Sequence, residues 1–356
     1  MRTPLLLLLL LIAAVFAVQA QDAQPVAAGP TLATVRARGQ LICGVDEDVF
    51  GFGFLNPNTG EISGIQVDLC RALAAATTGE AAAVELRLYP LDTSPSSILD
   101  DGVDVFFQHT FMPAPGQWPA LSVGQAITFY DGAAVLAQIS SAVTTFDDLE
   151  GATICTQSGS PSEKALIAET RQRSLSYDAA AFATIAEMRT AFDEGRCTVL
   201  VLERSLLEII RHSSSSTDAL VVWPTPFTSR TINPLYRYGD KQWGEIVDWT
   251  MWGLIEAEKL GIASSNIQQM LRQPNESDQA YITRVGEPVA RLIDVTLGSG
   301  GRLGLPSDFM AAVITQVGNY GEIYERNLGR ESALPIERGI NALWRDGGLL
   351  DAPPWS

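Results

Sequence analysis

The sequence predicts an α/β fold made of two lobes, each with a central sheet flanked by helices. A pattern of helix, glycine and short buried strand occurs twice, first in SSILDDGVDVFFQHT and then in IAEMRTAFDEGRCTVLVLERS, where Gly195 ends an amphipathic helix. The chain has 356 residues, 46% of them hydrophobic, which is enough for two cores rather than one. Two copies and two cores together indicate two lobes.

The remaining strands and helices can be assigned to these two copies in chain order. A strand at 41–45 and a helix at 67–76 belong with the first copy. A strand at 152–155 and a helix starting near Ser160 belong with the second, whose own strand is 199–202. Ordered structure is expected to begin near residue 32.

The chain must cross between the lobes twice if the second lobe is inserted in the first. Crossing segments are expected at 129–136 and 226–236. We therefore expect lobe 1 at 32–132 together with 234–356, and lobe 2 at 133–233.

The last third of the chain carries two further helical patterns. They lie around 243–260 and at 308–323. We expect this part to return to lobe 1 and cover its back.

The N-terminus has the features of a cleaved secretory signal. In MRTPLLLLLLLIAAVFAVQA, Arg2 precedes an apolar run and small residues precede the expected cut after Ala20. We expect a signal peptide at 1–20 and a flexible leader at 21–31. No later segment approaches the roughly 20 apolar residues of a spanning helix, and no cysteine lies near the cut to carry a lipid. The mature protein is expected to be a soluble monomer in the periplasm or secreted.

Charge and composition argue against several functions. The formal net charge of −17 disfavours nucleic-acid phosphate and anionic membrane as partners, since both demand a positive surface. The chain has two histidines, His109 and His212, and no C-x-x-C pair, so no metal site is expected. No cofactor is expected either.

Four cysteines in an exported chain indicate disulfides rather than metal ligands or nucleophiles. They are Cys43, Cys70, Cys155 and Cys197. Four cysteines allow three pairings, of which local pairing would place one bridge in each half of the chain.

Ligands of open α/β sheets bind beyond the carboxyl ends of the strands. The segments at these ends are 46–54, 108–111, 157–162 and 203–205. Because they come from both halves of the chain, a ligand that meets all four must lie in a cleft between the lobes.

The sequence resembles the solute-binding proteins of bacterial ABC importers for polar and general amino acids. The resemblance covers most of the mature chain and rests on the order and spacing of many short segments, among them LATVRARGQLICGV, SGIQVDLCRALAAAT, GVDVFF, ITFYDG, DDLEGATICTQSGSPSE, GDKQWGEIVDWTMWGLIEAEKLGI, VGNYGEIYERNLG and GINALWRDGG. It implies a two-lobed periplasmic binding fold of type II that closes around a small solute and delivers it to a membrane permease. It also supports the pairings Cys43–Cys70 and Cys155–Cys197.

The resemblance places candidate ligand contacts in lobe 2. Ser160 begins a capping box with Glu163, and capping alone would explain it. In the family, the matching hydroxyl residue and nearby backbone N–H groups also receive the ligand carboxylate, and Ser158 belongs to the same loop. Glu203 stands where the family has an aspartate that binds the ligand ammonium. Its alternative is a surface ion pair with Arg204.

Further candidates lie in lobe 1. Asp46 follows the first strand, and Phe52 matches a family aromatic that stacks on the solute, although it could equally fill the core. Thr110 matches a family threonine. His109 could contact the solute or serve only as a structural hydrogen-bonding residue.

One family feature is missing from this loop. The family arginine that clamps the solute carboxylate falls on Gly116 when VDVFF and ITFYDG are aligned without a gap. Ordinary zwitterionic amino acids are therefore expected to bind weakly, and the site is expected to prefer an amine-bearing solute.

Three functions remain open from the sequence. The first is an ABC-importer binding protein for an amino acid or a related small amine. The second is a lyase similar to cyclohexadienyl dehydratase on the same fold, for which no necessary acid and base pair is found. The third is a sensor or a degenerate paralogue that has altered or lost solute binding. No catalytic residue is assigned.

Overall fold

The computed structural model describes residues 28–91, 93–109, 117–294 and 300–355. Strands and short helices alternate through the first two thirds, and helices dominate the rest. The strands are β1 (Leu41–Asp46), β2 (Asp48–Val49), β3 (Gly53–Leu55), β4 (Ile62–Ser63), β5 (Val84–Tyr89), β6 (Val105–Phe107), β7 (Leu121–Val123), β8 (Phe129–Asp131), β9 (Ala133–Gln138), β10 (Thr153–Gln157), β11 (Asp178–Phe182), β12 (Val199–Glu203), β13 (Leu220–Val222), β14 (Arg230–Ile232) and β15 (Leu235–Arg237).

The helices cover both sheets and form the last third of the chain. They are α1 (Pro30–Arg38), α2 (Ile65–Thr78), α3 (Pro95–Asp100), α4 (Pro161–Arg173), α5 (Ile185–Asp193), α6 (Arg204–His212), α7 (Lys241–Leu260), α8 (Ile267–Met270), α9 (Asp278–Val285), α10 (Glu287–Ile293), α11 (Gly300–Leu303), α12 (Phe309–Val317) and α13 (Tyr320–Leu328).

The first sheet has the strand order β5-β1-β6-β15-β7. Strand β1 runs parallel to β5 and β6, with Cys43 opposite Leu86 and Val105, whereas β15 is antiparallel to β6 and β7. Strands β1 and β6 are fully buried, which explains why their sequences are almost continuously apolar. The parallel pairing places the carboxyl ends of β1 and β6 side by side.

The second sheet repeats this arrangement with the order β11-β10-β12-β9-β13. Strand β10 is parallel to β11 and β12, and β9 is antiparallel to β12 and β13. Helices α4, α5 and α6 pack on this sheet. Glu203, the last residue of β12, therefore lies at the same edge as the end of β10.

Two short strands connect the sheets. β8 and β14 form an antiparallel ladder in which Tyr130 lies opposite Thr231. The chain passes from β7 of the first sheet through β8 into β9 of the second, and returns from β13 through β14 into β15. This ladder occupies only part of the expected crossing segments, because 133–136 already belongs to β9 and 235–236 to β15.

A C-terminal asparagine holds one crossing strand. The buried side chain of Asn341 accepts a hydrogen bond from the backbone N–H of Tyr130 (2.6 Å) and donates one to the carbonyl of Tyr130 (2.8 Å). Since both backbone groups of Tyr130 are held by the same amide, Asn341 acts on β8 as a neighbouring strand would.

The helical pattern at 308–323 forms two helices rather than one. Helix α12 ends at Gly318, whose φ of 95° lies in the region that favours glycine. Asn319 then starts α13 with a capping box to Glu322. Helix α12 packs against α2, and α13 against α2 and α7, so the last third covers the first sheet's side of the molecule.

Two disulfides join the four cysteines, and the pairing that the resemblance supported is confirmed. Cys43 bonds to Cys70 and ties β1 to α2, with Cα atoms 6.0 Å apart. Cys155 bonds to Cys197 and ties β10 to the turn before β12, with Cα atoms 5.7 Å apart. Each sheet thus carries its own bridge.

We predict that removing either bridge destabilises the protein by about 3.5 to 4 kcal/mol in the chain-entropy model, because the bridges close loops with sequence separations of 27 and 42 residues. Urea unfolding of the Cys155→Ala, Cys197→Ala double variant measures the loss. Peptide mapping without reduction gives the pairing directly, and a Cys43–Cys155 peptide would contradict it.

Candidate functional site

The carboxyl ends of both sheets meet in one buried polar cluster. Asp46 ends β1, His109 follows β6, and Glu203 ends β12. Ser205, in the first turn of α6, contacts the ring of His109 with Oγ 2.9 Å from Nε2. This contact joins the first sheet directly to the second.

Asp46 is fully buried and only partly satisfied. Its Oδ2 accepts hydrogen bonds from Nε2 of Gln66 (2.6 Å) and from the backbone N–H of His109 (2.9 Å). Its Oδ1 has no hydrogen-bond partner among the described residues. Burial raises the pKa of Asp46 to about 6, and the bonds from Gln66 and His109 limit the rise.

Asp131 connects the crossing strand to both sides of the cluster. Its Oδ2 lies 3.1 Å from Nε2 of His109 and accepts the hydroxyl of Ser205 at 2.5 Å. Its Oδ1 accepts the backbone N–H groups of Gly132 (2.9 Å) and Ser205 (3.3 Å). Burial by itself lowers the pKa of His109, but the hydrogen bond and charge of Asp131, with smaller contributions from Asp46 and Glu203, raise it overall.

This grouping does not form a nucleophilic relay. A relay needs the hydroxyl and the carboxylate on different nitrogens of the imidazole. Here Ser205 and Asp131 meet the same nitrogen of His109 and also each other. The geometry holds the two sheets together rather than activating the serine.

Glu203 is buried and is not a surface ion pair. Its Oε1 accepts the hydroxyl of Ser162 at 2.8 Å. Burial raises its pKa, the bond from Ser162 opposes this, and the charge of Asp131 adds to the rise. Arg204 instead reaches Glu208, one turn along α6, with Nη2 3.8 Å from Oε1.

The cluster thus combines three buried carboxylates, on Asp46, Asp131 and Glu203, with the imidazole of His109. The charges of all three acids raise the pKa of His109, which places them around its ring. Buried carboxylates are stabilised when a cation is brought beside them. Chemically, the cluster is suited to receive a positively charged group.

The first turn of α4 is capped by its own residues. Ser160 accepts the backbone N–H of Glu163 (3.1 Å), as expected for a capping box. The reciprocal half differs, because the Glu163 carboxylate accepts the N–H of Gly159 (2.6 Å) and the hydroxyl of Thr156 (3.1 Å), whereas the N–H of Ser160 donates to the carbonyl of Gln157.

The other expected site residues fall in different places. Phe52 is buried, with its ring edge-on to His109 (centroids 4.8 Å apart) and to Phe129 (5.0 Å). Ser158 is exposed, and its N–H donates to Phe182. Thr110 and Gly116 lie outside the described residues.

Sequence reasoning missed four members of the cluster. Ser162 and Ser205 lay within the strand-end segments but were not singled out. Gln66 and Asp131 lay outside these segments. A polar residue between two apolar ones at the start of α2 was the available signal for Gln66, and an acid inside a crossing strand was the signal for Asp131.

Two α/β lobes joined by a pair of crossing strands define the class of two-lobed solute-binding proteins. A periplasmic binding protein of an ABC transporter from Brucella ovis, solved with glutathione bound, has the same fold: the TM-score is 0.78 at 31% identity, over 92% of this chain and 99% of that one. No protein-family model matches the sequence.

Curated relatives match along almost the whole chain. The general L-amino acid-binding periplasmic protein AapJ of Rhizobium johnstonii is 33% identical over 96% of both chains. The putative amino-acid ABC transporter-binding protein YhdW of Escherichia coli is 31% identical over 92% of this chain and 93% of its own. The chain belongs to the family of solute-binding proteins of amino-acid ABC transporters.

We predict that Asp46 makes stability depend on pH. Its folded pKa of about 6 lies above the ordinary 3.8, so the folded state holds this proton more tightly than the unfolded state does. Stability from this group is therefore gained as pH falls from 7 to 4, by roughly 3 kcal/mol at most. Urea unfolding of the wild type and Asp46→Asn across this range measures the difference.

The exposed acid Asp193 on α5 provides the control. Asp193→Asn removes the same charge from an exposed position. The difference in unfolding free energy between this variant and the wild type should therefore stay nearly constant from pH 7 to pH 4. A constant difference for Asp46→Asn as well would contradict the prediction.

Proposed function

We propose that this protein binds an amino acid or a related small amine outside the cytoplasm and delivers it to an ABC importer. The observation that carries the proposal is the cluster of Asp46, Asp131 and Glu203 where the two sheets meet. A solute ammonium between Asp46 and Glu203 would complete their hydrogen bonding and compensate their charge. The names of the relatives, which include general L-amino acids, support this class of solute.

We assign the lobes as expected from the sequence, with lobe 1 at 32–132 and 234–356 and lobe 2 at 133–233. The chain passes from the first sheet to the second after β8 and back to the first after β14, which supports this division. The contact between His109 and Ser205 supports closure of the lobes on each other at the crossing strands.

The remaining candidates would complete the solute's surroundings. Ser160 has a hydroxyl hydrogen to donate, and Ser158 lies two residues before it. In the sequence, Thr110 directly follows His109. Phe52 would act through His109, whose ring it holds edge-on. In this assignment His109 positions Asp46 and Asp131 while contributing a polar edge to the site.

A binding role is favoured over catalysis. The relatives are transport-binding proteins, and Ser205 and Asp131 share one nitrogen of His109. A lyase of the dehydratase type also acts on dicarboxylates, which the acidic cluster would repel.

The proposed location is the periplasm, as for the relatives, with a membrane permease as the partner and a monomeric binding protein. Within the described residues, every helix falls short of the length and apolar character needed to cross a bilayer.

A thermal-shift screen of purified protein with amino acids, small amines, dicarboxylates and glutathione tests the proposal. We expect at least one amine-bearing compound to raise the Tm and to reduce the radius of gyration in solution scattering, because a ligand favours the closed form that it binds better. A protein that no compound stabilises or contracts would refute it.

Glu203→Gln tests the assigned contact. Losing one partner of a buried charge pair typically costs about 2 to 5 kcal/mol, so affinity should fall at least thirtyfold. The matched Asp193→Asn variant removes an exposed acid of the second sheet's side and should bind as the wild type does. If Glu203→Gln bound the solute as tightly as the wild type, another residue would have to recognise it.

A further inference from the structure

The first turn of α4 has little capacity left to bind an anion. Helix N-termini bind carboxylates through free N–H groups. Here the N–H of Ser158 donates to Phe182 (2.8 Å), that of Gly159 to Glu163 (2.6 Å) and that of Ser160 to Gln157 (3.1 Å). Pro161, the first helical residue, has no N–H. Residues 158–161 therefore offer a solute no backbone donor.

Glu163 also changes the charge at this position. Its carboxylate already occupies the favourable end of the α4 dipole, where it accepts from Gly159 and Thr156. A solute carboxylate arriving there would meet a like charge. Among the described residues, the donors that remain in this turn are the hydroxyl hydrogen of Ser160 and the backbone N–H of Ser162, and Ser162 is fully buried.

Asp46 supplies an unfilled hydrogen-bond acceptor in the cluster. Asp46 is fully buried, and its Oδ1 has no partner among the described residues. A buried acceptor left unsatisfied is costly, and an N–H group of a solute would satisfy it. A carboxylate brought to the same place would add a second negative charge.

The arginines near the cleft differ in how fully they are bonded. Arg204 is buried with Nη2 3.8 Å from Oε1 of Glu208, and its Nε has no hydrogen-bond partner among the described residues. Arg237, the last residue of β15, donates from Nη2 to the carbonyl of Leu99 at 2.7 Å. Arg230 begins β14, opposite Asp131 in the crossing ladder. In the sequence, Gly116 stands where the family has its clamping arginine.

We infer that the solute is a small organic cation that lacks a free carboxylate, such as a decarboxylated amino acid. The inference rests on the proposed function and specifies its solute. Asp46 and Glu203 recognise the cationic group, and the self-capped first turn of α4, with Pro161 and Glu163, disfavours the carboxylated counterpart.

Calorimetry on matched pairs tests the inference, because each pair differs only in the carboxylate: arginine and agmatine, lysine and cadaverine, histidine and histamine. We expect the member without a carboxylate to bind at least tenfold more tightly in the pair that binds best. Equal or tighter binding of the amino acids would overturn the inference while leaving the proposed function intact. Binding of none of the six compounds, with no contraction in scattering on any of them or on the wider panel, would refute the proposed function itself.

A double variant tests whether α4 sets this preference. Pro161→Thr with Glu163→Gln restores an N–H and removes the like charge. The ratio of the dissociation constant of the amino acid to that of its decarboxylated counterpart should therefore fall at least threefold. Glu169→Gln removes a charge from the same helix, away from its first turn, and should leave the ratio unchanged. An unchanged ratio in the double variant, or loss of the preference in Glu169→Gln, would contradict the assigned role of α4.

Arg204→Met addresses the remaining source of a carboxylate contact. The inference requires that this variant keep the preference for the amine, because it assigns Arg204 to the carboxylate of Glu208 rather than to the solute. If the wild type bound an amino acid tightly and Arg204→Met lost that binding selectively, Arg204 would be the anchor and the inference would be wrong.

Discussion

The hydrogen bonds of Asp131 are the interaction on which the arrangement of the two sheets depends. One carboxylate on a crossing strand accepts bonds from His109 beside the first sheet and from Ser205 beside the second. A buried carboxylate is tolerated because donors satisfy both of its oxygens. Contact between the two sheets therefore completes the hydrogen bonding of the Asp131 carboxylate, which would otherwise be costly to bury.

The other two acids of the cluster are buried with fewer hydrogen bonds. Asp46 and Glu203 have fewer donors than Asp131, and burial raises the pKa of both. Their carboxylates are held in place by Gln66 and Ser162 and not fully neutralised. In the proposed site such a pair would be held in place before a ligand arrives, so little ordering entropy would be lost when an ammonium binds.

The central strands could be predicted because they are buried on both faces and read as apolar runs that end in polar residues. Asp46, His109 and Glu203 were found in this way. The role of Asp131 could not be, since it depends on contacts 22 and 74 residues away in the chain, which no local periodicity encodes. The capping of α4 was half predicted: Ser160 follows from local sequence, but the choice of Glu163 between Ser160 and Gly159 depends on loop geometry. The split at Gly318 was missed because the apolar period continues across it.

The two hydrogen bonds of Asn341 to Tyr130 tie the C-terminal segment to a crossing strand. In the proposed closure, rotation between the lobes would have to be absorbed by dihedral angles on either side of Tyr130, because both backbone groups of that residue are held. Contacts that hold or release the residues around 341 would then change how readily the lobes open, without touching the solute.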